Sequence, residues 1–246
     1  MKTAIIIPAR MASQRFPNKP MVKINGIPMI ERVWKQGVNS KIGDVFVACS
    51  EDEVFNLITS KGGKAIMTDP NLSSGTDRVF AAFSLLQNKD DFESIINLQG
   101  DMPLIDPINI QSVNLPLKNG YDIGTIATNI SSDEEKNENI TKVFIDWKKS
   151  GVVGNSIDFY KSSKRQLTNI YQHVGIYSFK PIALKRFVSL PPSKNEIDRK
   201  LEQLRALDAG VNIGITYVEN VPISVDTLED LMLIENIIKN NNENNK

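Results

Sequence analysis

Short β-branched runs alternating with helix-length segments fill the first half of the chain, and no other feature restricts the fold so strongly. Ala4–Ile7, Val45–Ala48, Ala65–Met67 and Ile95–Leu98 are brief, apolar and bounded by turn residues, the signature of buried strands. Between them, Pro28–Val38 places Met29, Ile30, Val33 and Trp34 on one stripe. Glu51–Ser60 and Asp77–Leu86 repeat that spacing after polar starts, which predicts helices. Alternating βα units imply an α/β fold with a mostly parallel, Rossmann-like sheet and helices on both faces. Ligands on such sheets bind beyond the carboxyl ends of the strands, so the segments after Ile7 and after Leu98 are the natural places for a site.

The second half has a different rhythm. Ile123–Ala127, Val143–Asp146, Val152–Ile157 and Val174–Phe179 read as strands, with no helix-length segment between the middle two and a hairpin turn at Trp147–Gly151. An antiparallel insertion follows from that pattern. Helical spacing returns at Glu196–Ala209, ended by Gly210, and at Thr227–Lys239, where Thr227 and Asp230 form a capping-box pair. Val225-Asp226-Thr227 follows an expected strand end at Ile223. One domain over 1–239 is expected, with an Asn-rich, frayed tail at 240–246.

Composition narrows the partners. Lys plus Arg equals Asp plus Glu at 29 each, so no overall field draws the chain to nucleic acid or an anionic membrane, and any anion site is local. The single Cys49 excludes an internal disulfide, and no apolar run approaches the ~20 residues of a spanning helix; a reducing cytoplasm and no membrane insertion are expected. The opening MKTAIIIPAR is too soon interrupted for a secretion signal and reads as a strand.

Four segments carry candidate chemistry. After the first strand, Arg10, Arg15 and Lys19 sit in a stretch restricted by Pro8, Pro17 and Pro20, where three cations can converge on a polyanion or form a solvated basic loop. The pattern is neither a Walker A loop nor a dinucleotide glycine loop. After the Ile95 strand, Gln99-Gly100-Asp101 sets a hard oxygen ligand where Mg2+ could carry substrate phosphates, unless it is a plain turn. Ser73-Ser74-Gly75-Thr76-Asp77-Arg78 opens a helix with N–H groups and hydroxyls suited to a base or phosphate, or simply to a cap. Asp226 is a second metal ligand or a charge favoured by a helix N-terminus. The only histidine, His173, has no serine or cysteine motif to activate, so it reads as a binder and not a base. Glu202, Gln203 and Arg205 lie off the Leu201, Leu204, Leu207 stripe and read as a solvated face.

Taken in order, these segments resemble the 3-deoxy-D-manno-octulosonate (Kdo) cytidylyltransferases over nearly the whole chain. The matching motifs run from IIPAR at Ile6 through SGTDR at Ser74, QGD at Gln99, HVG-x-Y at His173 and LEQLRAL at Leu201 to VDT-x-EDL at Val225. The resemblance implies a Mg2+-dependent transfer of CMP from CTP to the anomeric hydroxyl of Kdo, with pyrophosphate leaving, for lipopolysaccharide biosynthesis. It implies that Arg10, Arg15 and Lys19 hold the triphosphate, with Lys19 catalytic beside Asp101 and Asp226, the metal ligands. Ser74, Gly75, Thr76 and Arg78 would complete the nucleotide pocket. Gln99, His173, Tyr177, Glu202, Gln203 and Lys161 would surround the sugar acid, and a lobe at about 120–180 would bind sugar and join a homodimer.

Three departures stand out. Ala48-Cys49-Ser50 replaces the usual Ala-Thr-Asp, so a carboxylate is missing at position 50, with Asp52 nearby. Asp158-Phe159-Tyr160-Lys161 replaces Tyr-Phe-Ser-Arg, and Lys161 lacks the fork with which arginine grips a carboxylate. Met102 replaces a common glutamate. The alternatives are transfer to a related acid sugar, such as 8-amino-Kdo or a sialic-acid-like sugar, and a non-catalytic nucleotide-binding descendant.

Overall fold

The computed structural model describes residues 1–11, 16–148, 151–162 and 168–243. In chain order the elements are β1 (Thr3–Ala9), β2 (Lys23–Ile24), β3 (Ile27–Pro28), α1 (Met29–Asn39), β4 (Gly43–Cys49), α2 (Asp52–Ser60), β5 (Lys64–Met67), α3 (Gly75–Ser84), β6 (Ser94–Asn97), α4 (Pro107–Ser112) and α5 (Leu115–Lys118). They continue with β7 (Ile123–Thr128), α6 (Ser132–Lys136), β8 (Lys142–Trp147), β9 (Val153–Tyr160), β10 (Ile170–Phe179), α7 (Pro181–Ser189), α8 (Lys194–Arg199), α9 (Leu204–Asp208), β11 (Ile213–Tyr217) and α10 (Leu228–Glu243). The chain forms two compact units: one of residues 3–91, 97–107 and 222–246, the other of 1–2, 92–96 and 108–221.

In the first unit, the expected βα alternation is present. β1 pairs in parallel with β4 from Thr3↔Gly43 to Ala9↔Cys49, and β4 pairs in parallel with β5. Ile5, Ile6, Ile7, Val47 and Ala48 are fully buried, as strands covered by helices require. α1 packs on β4 and α3 on β1. Beyond β6, Leu98 N–H still donates to the Ile6 carbonyl at 3.1 Å, so the chain reaches Gln99-Gly100-Asp101 alongside the end of β1. Ile24, Met29, Val225 and Ile234 form a core cluster against which Phe16, Leu104, Ile223, Leu231 and Ile238 pack, seating α10. Ile223 therefore contributes to packing and not to a strand, contrary to expectation; Pro222 beside it has no N–H for a ladder.

The second unit is the antiparallel part. β10 pairs antiparallel with β7 and with β8, β8 with β9, and β9 with β11, while β11 alone runs parallel to β7. Five strands thus close back on one another. Across the molecule the sheet pairing is mixed rather than mostly parallel, because the short β8–β9 link can join only antiparallel neighbours. That link holds the expected hairpin turn; Gly151 lies at φ +67°, its N–H donating to Lys148 O, and residues 149–150 lie outside the described residues.

Two helix expectations are corrected. Glu196–Ala209 is not one helix: α8 stops at Lys200, which adopts a left-handed conformation (φ 56°), and α9 starts only at Leu204. Stopping there lets Leu201 and Leu204 both bury. α10 runs past Lys239 to Glu243, and residues 244–246 of the tail lie outside the described residues. Its cap is as expected, Asp230 N–H donating to Thr227 Oγ1 at 3.2 Å and Thr227 N–H to Asp230 Oδ2 at 2.8 Å.

Candidate active site

The first unit gathers most of the predicted nucleotide and metal residues around one cavity of about 250 Å3, lined by Arg10, Lys19, Ser74, Gly75, Arg78, Gln99, Gly100, Asp101 and Asp226. They arrive from five separate segments at or beside the ends of elements, the fifth being Asp226 just ahead of α10. β1 delivers Pro8 to Arg10; a single 3-10 turn carries Lys19, preceded by Asn18 in a left-handed conformation (φ 56°). The N-terminus of α3 supplies Ser74 to Arg78, and the segment after β6 supplies Gln99 to Asp101. Gly100 is required here because a Cβ would stand 2.9 Å from the Pro8 carbonyl oxygen, so the close approach is to the chain's own backbone.

At the floor of the cavity, Lys19 Nζ donates to Asp101 Oδ2 and to Asp226 Oδ1, at 3.1 Å each. Lys19 is 14% exposed, and the aspartates 28% and 42%. Two carboxylates facing one cation form a hard-oxygen pair of the kind Mg2+ takes along with phosphate oxygens and water. Among the described residues no cluster of three or more His, Cys, Asp or Glu is arranged for a metal, so further ligands would have to come from substrate or solvent. The pair is braced by backbone bonds: Val225 N–H donates to Asp101 O at 2.9 Å, and Asp226 N–H to Asp230 Oδ2 at 2.9 Å. Asp230, read only as a cap, thus also orients a site residue; its carboxyl is lowered in pKa by the backbone N–H bonds and by Lys19, against the upward push of burial.

Ser74 is a helix cap and also faces the cavity. Its hydroxyl caps α3 by accepting from Asp77 N–H at 3.1 Å, and it lines the cavity. Thr76 does not line it; the side chain is buried and accepts from Asn97 Nδ2 at 3.3 Å, while Asn97 Oδ1 accepts from Gln99 Nε2 at 2.8 Å. Arg78 is almost wholly buried and donates to Thr68 Oγ1 and Pro70 O. Burial lowers the pKa of its guanidinium, Glu51 pulls it back up, and Arg10 lowers it further. Arg15 lies outside the described residues.

Five of the six expected sugar contacts belong to the second unit. His173 is buried and its Nε2 lies 3.0 Å from Thr125 Oγ1, which also donates to the Ile176 and Val174 carbonyls. Those carbonyls sit at a bulge in β10, where the register with β7 shifts between Val174 and Tyr177. Burial drops the His173 pKa to about 3, so the ring is neutral near pH 7. Tyr177 lies beside it, ring centroids 5.5 Å apart, and burial followed by the Glu202 carboxylate raises its phenol pKa. Gln203 is buried. Arg205, expected on a solvated face, instead forms a two-point ion pair with Glu196 (2.6 and 2.8 Å) and stacks over Phe187; starting α9 at Leu204 turns it inward. Lys161 enters through its backbone, its carbonyl accepting from buried Lys142 Nζ at 2.8 Å. The stretch before it is tied down by Arg199, which donates to Asp158 Oδ1 at 2.6 Å and to Phe159 O at 3.0 Å.

A cation-lined cavity with a paired-carboxylate floor agrees with the comparisons to known proteins: residues 4–213 match the family model described as cytidylyltransferase. The chain belongs to this cytidylyltransferase family. It is 42% identical over 238 residues to a 3-deoxy-manno-octulosonate cytidylyltransferase of Paramagnetospirillum magneticum, with 96% of this chain and 97% of the relative covered. Identity to the protein of that name from Parvibaculum lavamentivorans is 40% over 230 residues, covering 92% and 89%. A solved CMP:2-keto-3-deoxy-manno-octonic acid synthetase complexed with CTP superposes with a TM-score of 0.89 at 30% identity, covering 98% of this chain and all of that one. The motif resemblance is borne out by these matches.

Proposed function

We propose that this cytidylyltransferase moves CMP from CTP to the anomeric hydroxyl of Kdo. The sugar oxygen bonds to the α-phosphorus, the bond from that phosphorus to the β-phosphate oxygen breaks, pyrophosphate leaves and the hydroxyl proton is released. The observation that carries the reading is Lys19 between Asp101 and Asp226 at the floor of a cavity that Arg10 and Arg78 also line. Phosphoryl displacement needs positioning and charge neutralisation more than a covalent nucleophile, and these residues supply both. Arg10 and Arg78 bring positive charge to the triphosphate; Lys19 is within reach of exchanging a carboxylate for a phosphate oxygen as negative charge develops. Mg2+ is the cofactor in this reading, with Asp101 and Asp226 as its protein ligands; when bound it neutralises the phosphates. Neutral His173 offers hydrogen bonds and no base, and Gln99, His173, Tyr177, Glu202 and Gln203 are the residues assigned to the sugar in this reading.

The parallel β5–β4–β1 strands and their helices are the Rossmann-like part of the fold in this reading, and a homodimer in the cytoplasm feeding lipopolysaccharide biosynthesis is its setting. The experiment is pyrophosphate release from CTP with Mg2+ and a panel of sugar acids. Release with Kdo and CTP, and far less with UTP, ATP or GTP, is expected; equal use of all four nucleotides overturns the assignment. A related acid sugar is the second reading, favoured by the Asp158–Arg199 pair in the stretch that departs from the family. Preference for another sugar in the panel would select it.

A further inference from the structure

Glu51 lies outside the cavity, yet its side chain is turned away from the helix it begins. It occupies the N-cap position of α2 but makes no side-chain cap bond. Its Oε1 instead accepts from Met11 N–H at 3.2 Å and from Ser50 Oγ at 2.8 Å. Oε2 is buried and has no hydrogen-bond partner among the described residues. Leaving a buried carboxylate oxygen without a hydrogen bond costs stability unless a nearby charge compensates. Cavity-lining Arg78 supplies such a charge. Glu51 is the largest favourable influence on the charge of buried Arg78, and Arg10, the residue before Met11, opposes that charge.

The Met11 contact extends to Lys19. Met11 O accepts from Asn18 N–H at 3.2 Å, closing the loop at its base, and Asn18 O accepts from Met21 N–H at 2.9 Å to start the turn that carries Lys19. One carboxylate therefore holds Met11, which links Arg10 on one side to the Asn18–Lys19 turn on the other. Position 50, where the expected aspartate is missing, is serine, and its hydroxyl touches the same carboxylate oxygen.

We infer that Glu51 is a positioning residue for the nucleotide, holding Arg10 and the turn that carries Lys19 through its bond to Met11, and that it serves in place of a carboxylate at position 50. The inference rests on the CTP reading above, and turnover of CTP by the native protein tests that reading separately. With CTP turnover established, Glu51→Ala should raise KM for CTP about tenfold or more, leave KM for the sugar within about twofold, and shift the unfolding temperature by only a few degrees. Glu51→Gln, which keeps the acceptor for Met11 and removes the charge, should show a smaller rise in the same constant. Adding Ser50→Asp to Glu51→Ala should recover most of the loss. A generic structural defect would lower the active fraction and kcat without this selective change in KM. An unchanged KM for CTP in both single variants, or a raised KM that Ser50→Asp does not recover, overturns the proposal.

Discussion

Two sets of ionisable groups, one at the cavity and one in the strand-rich unit, are treated in different ways. Around the cavity, Lys19, Asp101 and Asp226 keep 14%, 28% and 42% exposure, and Lys19 pairs with both aspartates. In the strand-rich unit, His173 and Lys142 are buried and Tyr177 is half-buried, and loss of solvent pushes each toward its neutral form. Partly solvated charges can trade one partner for another when a polyanion arrives, at little desolvation cost. Buried neutral groups keep fixed hydrogen bonds and define shape. The first arrangement suits a step in which charge moves, the second a surface that must recognise hydroxyls.

The sharpest way to break this contrast is to remove a cavity charge without changing shape. Asp101→Asn should lower pyrophosphate release by about 10²–10³-fold while the circular-dichroism spectrum stays native, since on the proposed reading a bound metal would lose an anionic ligand. Near-normal turnover would remove Asp101 from the metal site.

Lys19→Met should have a smaller effect on turnover, about 10²-fold in kcat, and an opposite one on metal binding. With its competing ammonium gone, the Asp101–Asp226 pair should bind Mn2+ more tightly in the absence of nucleotide, by about tenfold. Titration followed by Mn2+ paramagnetic resonance reads this directly, and unchanged affinity would mean that Lys19 does not compete for the pair.

On the buried side, Thr125→Val removes the hydroxyl that serves His173 and two bulge carbonyls. The expected result is a loss of about 1–3 kcal/mol in stability with nucleotide binding intact, measured by urea unfolding and CTP calorimetry. Loss of CTP affinity equal to the loss of stability would erase the distinction between the two regions.

A gentler test uses pH. His173 has a folded pKa of about 3, below its ordinary value near 6.5, so between these values the unfolded chain binds the extra proton. Its contribution is therefore fully present above about pH 6.5 and is lost as pH falls toward 3, with a slope of at most about 1.4 kcal/mol per unit. His173→Gln should flatten that slope in stability measured from pH 4 to 7. An inflection in stability near pH 6.5 that survives the substitution belongs to another group. Lys161→Arg should change least, preserving or modestly improving KM for Kdo if position 161 meets the sugar carboxylate.

Much of the cavity was legible because each of its parts is local. A buried strand followed at once by a cationic loop, or by Gly-Asp, is a contiguous pattern, and Thr227 with Asp230 announces a helix start in four residues. The segments' order along the chain also identified the family. What escaped were relations between distant segments. Glu51 and Asp230 were visible only as helix-start residues, although the missing carboxylate at position 50 was a signal pointing to its neighbour.

By itself the sequence determined most of the long strands, though not β11 and wrongly one at Ile223, along with where the cations and carboxylates emerge and that no overall charge guides the ligand. These follow from local periodicity and backbone chemistry. Tertiary structure alone decided that the pairing is mixed, that helix α8 ends at Lys200, that Arg205 turns inward to Glu196, and that Lys19 meets two aspartates 82 and 207 residues away. Such contacts depend on which surfaces bury against which, and a burial decision is made by the folded whole rather than by any window of the chain.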